Sequence, residues 1–506
     1  MKILLLEHPR QIPQDRYNDI ANTPLSSSLI TSYLAGMLMS QGHKVKVVEG
    51  YLEKLTYTEI SRIINGFAPD ILGVHIVFGW ENNQSLFAFL KAIKKEGLQH
   101  ITGYGFYPTF AYPEIFQQCP EIDTIMVGEP ELTFAELAKE ELDQIKLSDI
   151  TGLAWQDKQG KSYLQRREVI ENLDRLPYPV HSEAMLRLSE INIEGSRGCY
   201  GGCTFCYINP YYGRAGCWRG RRPENIIAEI DHHIDRYGQK NFYFVDPNFF
   251  GPGQHGRERV LRLASLLKER GIRFGIEGRV NDIEEETLSA LVEAGLHQIL
   301  IGLESGRNES LQRLNKRTTV EQNERAIQIL RQYGIEPNVG FIMFEPDSSL
   351  KDIRTNFEFL KRNDLLKDLS ITANVLYHPQ IILQGTKAYQ SLQAEGRLKL
   401  LSTSYEGTAS FANPQVASLA LIMSMITNYI FAKMNGIWSG RDPEPKDTDI
   451  VYHNLNQTLI RYFQDTLSQL ESGKPLADGE ITALVDQAKE EIDAGVIFTD
   501  PTSLLL

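Results

Sequence analysis

The chain has 506 residues, enough for two or three domains of ordinary size. With 42% hydrophobic and 23% charged residues it has the make-up of a globular protein with a sizeable core, and its net charge of −13 argues against a general nucleic-acid binder. No run of roughly 18 apolar residues appears, so no membrane span is expected. The apolar start, Met1 to His8, lacks a small-residue cleavage site and reads as a buried strand, so a cytoplasmic location is expected. Five cysteines, three of them clustered, do not make a disulfide framework.

Residues 1–145 alternate strand and helix. Apolar runs at 3–6, 44–48, 71–77, 100–105 and 124–127 read as buried strands, and helical periodicity places helices at 27–41, 57–67, 84–96 and 131–141. The fold class is α/β: a doubly wound sheet of the Rossmann or flavodoxin type, whose ligands bind beyond the carboxyl ends of its strands. No GxGxxG follows the first strand, so a nicotinamide cofactor is not expected.

Residues 146–189 read as a hairpin and a proline-punctuated linker. From 190 to 385 the alternation resumes, with strands at 190–196, 241–245, 272–278, 298–303, 336–343 and 370–376. Helices lie between them, one with Asp282 as its N-cap. Six such units make a partial TIM-type barrel, which places function at the carboxyl ends of its strands. Residues 386–506 read as a helical region that closes the barrel or forms a dimer face, with no chemistry legible in it.

The first barrel strand runs into Cys199, Cys203 and Cys206, spaced CxxxCxxC among glycines. Three thiolates can hold three irons of a cubic [4Fe–4S] cluster and leave the fourth open. Glycine lets such a loop wrap tightly. The competing reading is a zinc site with Cys217 as fourth ligand, although zinc sites more often use CxxC pairs. Cys119 reads as a structural thiol, and Cys217 as an inert or a substrate-side one.

Residues 190–390 resemble the barrel of radical S-adenosylmethionine (radical SAM) enzymes, in the cysteine spacing, in Phe205 before the third cysteine and in Gly302-Leu303-Glu304-Ser305. Residues 69–73, 103–109 and 127–134 resemble the cobalamin-binding domain that precedes the barrel in many of those enzymes. The resemblance implies a cluster on the three cysteines and S-adenosylmethionine held by Phe205, Tyr207, Asp246, Arg279, Glu304 and Phe341. Glu304 would take ribose hydroxyls or the methionyl amine, Arg279 would lie near the methionyl carboxylate, and the backbone around Phe341 would meet adenine. The chain departs from the family at Asp246, where the usual Gly-Gly-Glu is missing, and at Phe344-Glu345, which replaces a glycine. Cobalamin would lie against His75, Trp80, Tyr104, Gly105, Tyr107, Gly128 and Glu129. The DxHxxG signature is absent, which implies no histidine below the cobalt. The plainer reading of each of these side chains is a hydrogen bond, an ion pair or core packing.

The activity the resemblance implies is methylation of an unactivated carbon through a [4Fe–4S] cluster, S-adenosylmethionine and cobalamin, with flavodoxin or ferredoxin as electron donor and a small molecule or peptide as substrate. Two alternatives stand beside it: radical cyclisation or ring rearrangement without methyl transfer, and a cluster-bearing sensor or scaffold without turnover.

Overall fold

In the computed structural model of the chain the described residues are 1–10, 29–78, 83–139, 144, 146–401, 403–438, 447–473 and 476–497. The first sheet contains β1 (Lys2–Glu7), β2 (Lys44–Glu49), β3 (Ile71–His75), β4 (His100–Tyr104), β5 (Thr124–Met126), β6 (Leu153–Gln156) and β7 (Ser162–Leu164). Their order is β2-β1-β3-β4-β5-β6-β7, and β1 to β5 are parallel. The order turns back at β1 and β3, which puts a doubly wound switch point at their carboxyl ends. Every residue of β3 is buried, as in a parallel strand covered on both faces. The hairpin β6–β7 pairs antiparallel with β5 and so extends this sheet. Helix Phe106–Gln118 follows β4 without a sequence signal, because Pro108 in its first turn and Pro113 in its interior obscure the periodicity.

The second sheet begins at β8 (Ile191–Ile193). The short strands β9 (Ser196–Arg197) and β10 (Arg219–Gly220) pair with each other, and then come β11 (Asn241–Phe244), β12 (Arg273–Arg279), β13 (Leu296–Glu304) and β14 (Asn338–Phe341). The order β14-β13-β12-β11-β8 is parallel throughout, with helices on the outside. Residues Leu369–Tyr377, expected as the sixth strand, form a helix. Asp368 caps it by accepting from the N–H groups of Ser370 and Ile371, and a short apolar run fits either element. The sixth position is taken just beyond, where Phe344 and Pro379 form a parallel bridge. Asp282 is likewise not an N-cap. It sits in a 3₁₀ turn, and the helix opens later, at Glu285.

Ahead of the C-terminal helices lies a small antiparallel sheet, β15 (Ile382–Leu383), β16 (Leu398–Leu400) and β17 (Glu406–Ala409), in the order β15-β17-β16. Helices Pro414–Trp438, Thr448–Glu471 and Asp478–Ile497 follow. Within the first, Pro414–Asn435 is long and apolar enough to cross a membrane by length and composition. Its Leu419, Ile422, Met423 and Ile426 are fully buried and share one core with Phe463, Val485 and the barrel's Phe357.

Candidate active site

The cysteine loop is held at its base by the neighbouring strand. Gly195 N donates to Asp246 Oδ1 at 2.7 Å, and Ser196 Oγ donates to Asp246 Oδ2 at 2.7 Å. Arg259 Nη2 donates to the Gly195 carbonyl at 2.6 Å. Asp246 is fully enclosed, and burial pushes its carboxyl up to about 6, against the pull of the Arg259 guanidinium. It therefore braces the loop, and its side chain is closed to a cofactor. Gly198 is required here: its φ is +80°, and a Cβ would fall 1.6 Å from the Cys217 carbonyl oxygen.

Above the base, the loop is clamped by residues just past helix Asn308–Arg313 and by its own next turn. Asn315 Nδ2 donates to the Gly202 carbonyl at 2.6 Å, Thr204 N to Leu314 O at 2.9 Å, and Asn209 Nδ2 to the Gly201 carbonyl at 2.6 Å. Cys199, Cys203 and Cys206 are free thiols and partly exposed, whereas Cys217 is buried. Among the described residues no three His, Cys, Asp or Glu side chains converge as the ligands of a single ion do. Three thiols on one loop can each take one iron of a cubic cluster.

Two cations face the loop. Arg279 Nη1 lies 3.5 Å from Cys203 Sγ, and its guanidinium also bonds the Lys316 carbonyl and Asn281 Oδ1. A Cβ on Gly201 would come within 2.6 Å of that Nη1, so the approach needs glycine. Lys316 Nζ donates to Glu304 Oε1 at 2.6 Å, with both side chains largely buried. The pair lies over Gly302, whose Cβ would stand 2.4 Å from Glu304 Oε1 and 2.5 Å from Lys316 Nζ. Glu304 has φ +63° at a register shift between β13 and β14, a strained geometry for a residue other than glycine. Lys316 carries no sequence signal: it lies outside any recognised motif and meets Glu304 only through the fold.

The remaining expected S-adenosylmethionine residues divide. Phe205 and Tyr207 are half-buried, and Tyr207 packs edge-on to Phe106 at 5.1 Å between ring centroids. Phe341 points outward and stacks on Phe359 of helix Leu350–Arg362 at 6.1 Å, which leaves only its backbone on the inner face. Tyr200, unnoticed in the sequence, donates to Asp282, whose other oxygen accepts from Asn248 Nδ2 at 2.8 Å. That pairing is what draws Asp282 away from a helix cap.

On the first sheet, His75 Nδ1 bonds Glu7 Oε2 at 3.0 Å, and Arg10 Nη2 donates to the same oxygen at 2.6 Å. Burial would raise the Glu7 carboxyl, but His75 and Arg10 hold it down at about 2. Tyr104 is fully buried, stacked on His75, with its hydroxyl 2.9 Å from Thr31 Oγ1. His75 and Tyr104 thus form a polar core under the strand ends. Gly105 has φ +121°, and a Cβ there would strike the His75 ring at 2.7 Å. Tyr107 is 2% exposed, and among the described residues its hydroxyl has no partner. Trp80 lies outside the described residues.

Gly128 and Glu129 connect the two sheets. Tyr211, just past the cysteine loop, donates its hydroxyl to the Gly128 carbonyl at 2.7 Å, and Phe106 packs on its ring at 4.3 Å. Glu129 accepts from Arg197 Nη1 at 2.8 Å, from Arg219 Nη1 at 2.9 Å and from the Ile170 N–H at 2.8 Å. Glu131 accepts from Arg197 Nη2 at 2.6 Å. The side chain of Glu129, expected beside a corrin ring, is therefore engaged in a buried ionic knot between domains.

Residues 193–360 match the radical SAM superfamily. Over 375 residues the chain is 28% identical to the "Uncharacterized methyltransferase PH0819" of Pyrococcus horikoshii, covering 72% of this chain and 79% of that one. An anaerobic magnesium-protoporphyrin IX monomethyl ester cyclase of Rubrivivax gelatinosus is 28% identical over 331 residues, 62% of this chain and 58% of the cyclase. Among solved structures, the cobalamin-dependent S-adenosylmethionine radical enzyme OxsB, with aqua-cobalamin and S-adenosylmethionine bound, matches with a TM-score of 0.80 at 21% identity, over 100% of this chain and 81% of OxsB.

Proposed function

We propose that this radical SAM enzyme, folded from end to end like a cobalamin-dependent one, transfers a methyl group to an unactivated carbon of a small-molecule or peptide substrate. The observation that carries the reading is the juxtaposition of two strand-end faces. Tyr207 and Tyr211, just past the cysteines, lie against Phe106 and Gly128 at the ends of the first sheet. These contacts bring the residues that follow the cysteines against the strand ends of the first sheet, which supports a reading in which cluster and corrin would adjoin.

The residues present fit the cofactors. Cys199, Cys203 and Cys206 supply three soft ligands on a glycine-rich loop, and Arg279 sets a positive charge beside Cys203. The loops beyond the strand ends of the first sheet turn through Gly105 and Gly128, both with positive φ, on the side where a doubly wound sheet binds its ligands. Bound there, a reduced [4Fe–4S] cluster would supply the electron that cleaves S-adenosylmethionine, and cobalamin would supply the methyl group. Glu304, steadied by Lys316, presents a carboxylate to ribose hydroxyls or to an ammonium on the inner face of the barrel. Arg279 offsets the negative charge gathered by the thiolates. An external one-electron donor such as flavodoxin or ferredoxin completes the system.

The relative that is a cyclase supports a second reading, oxidative cyclisation with the same cofactors and no methyl transfer. Reconstituted protein incubated with trideuteromethyl-labelled S-adenosylmethionine, a low-potential reductant and a pool of metabolites separates the two. Methylation yields a product heavier by one trideuteromethyl group together with 5′-deoxyadenosine, and Cys203→Ala abolishes both. A product lighter by hydrogen, without label, supports the cyclase reading. No 5′-deoxyadenosine under any condition would contradict both.

A further inference from the structure

Arg279 is 6% exposed, and each of its three guanidinium nitrogens donates to the protein. Nε donates to Asn281 Oδ1 at 3.2 Å, Nη2 to the Lys316 carbonyl, and Nη1 to Cys203 Sγ at 3.5 Å. The family resemblance places Arg279 near the methionyl carboxylate. In this structure no guanidinium nitrogen is left without a partner, and one of them is aimed at a cluster-binding sulfur.

The cysteine loop itself supports the arginine. The Tyr200 ring, one residue past Cys199, lies 5.5 Å from the guanidinium carbon. Its hydroxyl donates to Asp282 and accepts from Asn281 Nδ2 at 2.8 Å, and Asn281 is the residue that receives Arg279 Nε. Asn248 Nδ2 holds the second Asp282 oxygen at 2.8 Å. Asp282 is thus drawn to Tyr200 and Asn248, and among the described residues no carboxylate forms an ion pair with Arg279. Lys316, the other cation facing the loop, is paired with Glu304. Arg279 is therefore the unpaired positive charge at the cysteines, and a buried charge is little screened by salt.

When the external donor passes one electron to a cubic cluster, the donor is oxidised and the core gains one negative charge. A fixed positive charge and an N–H bond to a ligand sulfur both favour the reduced form, so both raise the reduction potential. Gly201 N donates to Cys199 Sγ at 3.3 Å and acts in the same sense.

We infer that Arg279 sets the reduction potential of the cluster through Cys203, and that Tyr200 is the residue that positions it. The inference rests on the reading of the three cysteines as cluster ligands. It gives Arg279 a role in the first electron transfer, before S-adenosylmethionine is cleaved.

The test is a redox titration of full-length reconstituted protein without S-adenosylmethionine, followed by electron paramagnetic resonance. The variants are Arg279→Met, Arg279→Lys and Tyr200→Phe, with Arg461→Met on a C-terminal helix as the charge control. Arg279→Met is expected to make reduction about tenfold less favourable, a potential ~59 mV lower for a one-electron couple. Arg279→Lys keeps the charge without the guanidinium fork and should fall between the two. Tyr200→Phe should shift the potential the same way by less, at unchanged iron and sulfide content, and the control should match the wild type. Should Arg279→Met hold no cluster, the other two variants decide: potentials below the wild type support the inference, and potentials equal to it overturn it. An unchanged potential in Arg279→Met, beside weaker S-adenosylmethionine binding, would assign Arg279 to the methionyl carboxylate and refute the inference alone. A wild type that binds no iron–sulfur cluster would overturn the cluster reading and this inference with it.

Discussion

Arg197 and Glu129 meet at 2.8 Å across the boundary between the two sheets, with side chains 4% and 5% exposed. The contact lies between the strand that leads into the cysteine loop and the loop that ends β5. Arg219 joins it from the other side of the cysteine loop, and Glu131 completes the knot. The loop is thereby tied at both its entry and its exit to the first domain.

Removing Glu129 leaves two buried guanidinium groups short of a partner. Glu129→Ala is expected to cost about 3 kcal/mol of unfolding free energy, as for other broken buried pairs. Urea unfolding of the metal-free protein measures it, and the two domains should then separate into distinct transitions. A loss below about 1 kcal/mol would place the knot among surface-like pairs.

Gly198→Ala combines a positive φ with a Cβ set against the Cys217 carbonyl. The strain and the overlap together cost at least about 2 kcal/mol, localised at the cysteine loop. The expected outcome is iron and sulfide content well below wild type after reconstitution, with far-ultraviolet circular dichroism unchanged. Gly216→Ala, where a Cβ would meet nothing within 4 Å, serves as the milder control.

Glu304 and Lys316 satisfy each other in the absence of any ligand. Lys316→Met leaves a buried carboxylate unpaired, and Glu304→Gln removes the charge offered to the ligand. Each is expected to weaken S-adenosylmethionine binding by about 2 kcal/mol, roughly 30-fold, in calorimetric titration of the reconstituted protein. Unaltered binding in both variants would remove the pair from the site.

How much of this was legible in the sequence depends on the range of each contact. The cysteine loop declared itself because ligand type, spacing and glycines all lie within a few consecutive residues, and the βα alternation around it follows from local periodicity. Lys316 stayed hidden because its partner is twelve residues away and on another element. Glu129 reads as a corrin neighbour from its place in the chain, whereas Arg197, which occupies it, lies 68 residues on. The helix at Phe106–Gln118 was masked by its own prolines, and Leu369–Tyr377 by an apolar run that suits either element. Tyr405 had no signal at all, since the domain it packs against is some three hundred residues away in the chain.

Glu277 gives a pH dependence. Its carboxyl accepts from Tyr243 OH at 3.3 Å, and among the described residues no cation pairs with it. Burial pushes it from 4.5 up to about 7. The folded state therefore holds the proton more tightly than the unfolded chain, and stability falls as pH rises from about 4.5 to about 7. Glu277→Gln should flatten this fall in urea unfolding of the metal-free protein between pH 5 and pH 8. A variant that tracks the wild type at both pH values would show that Glu277 is not the titrating group.

The central claim is that one chain carries a radical-initiating cluster and a corrin face to face. The visible spectrum of protein produced anaerobically with hydroxocobalamin, then desalted, tests it most directly. The account predicts iron–sulfur absorption and corrin bands together, with Cys203→Ala losing the first and keeping the second. Cluster absorption without corrin bands in the wild type would contradict it.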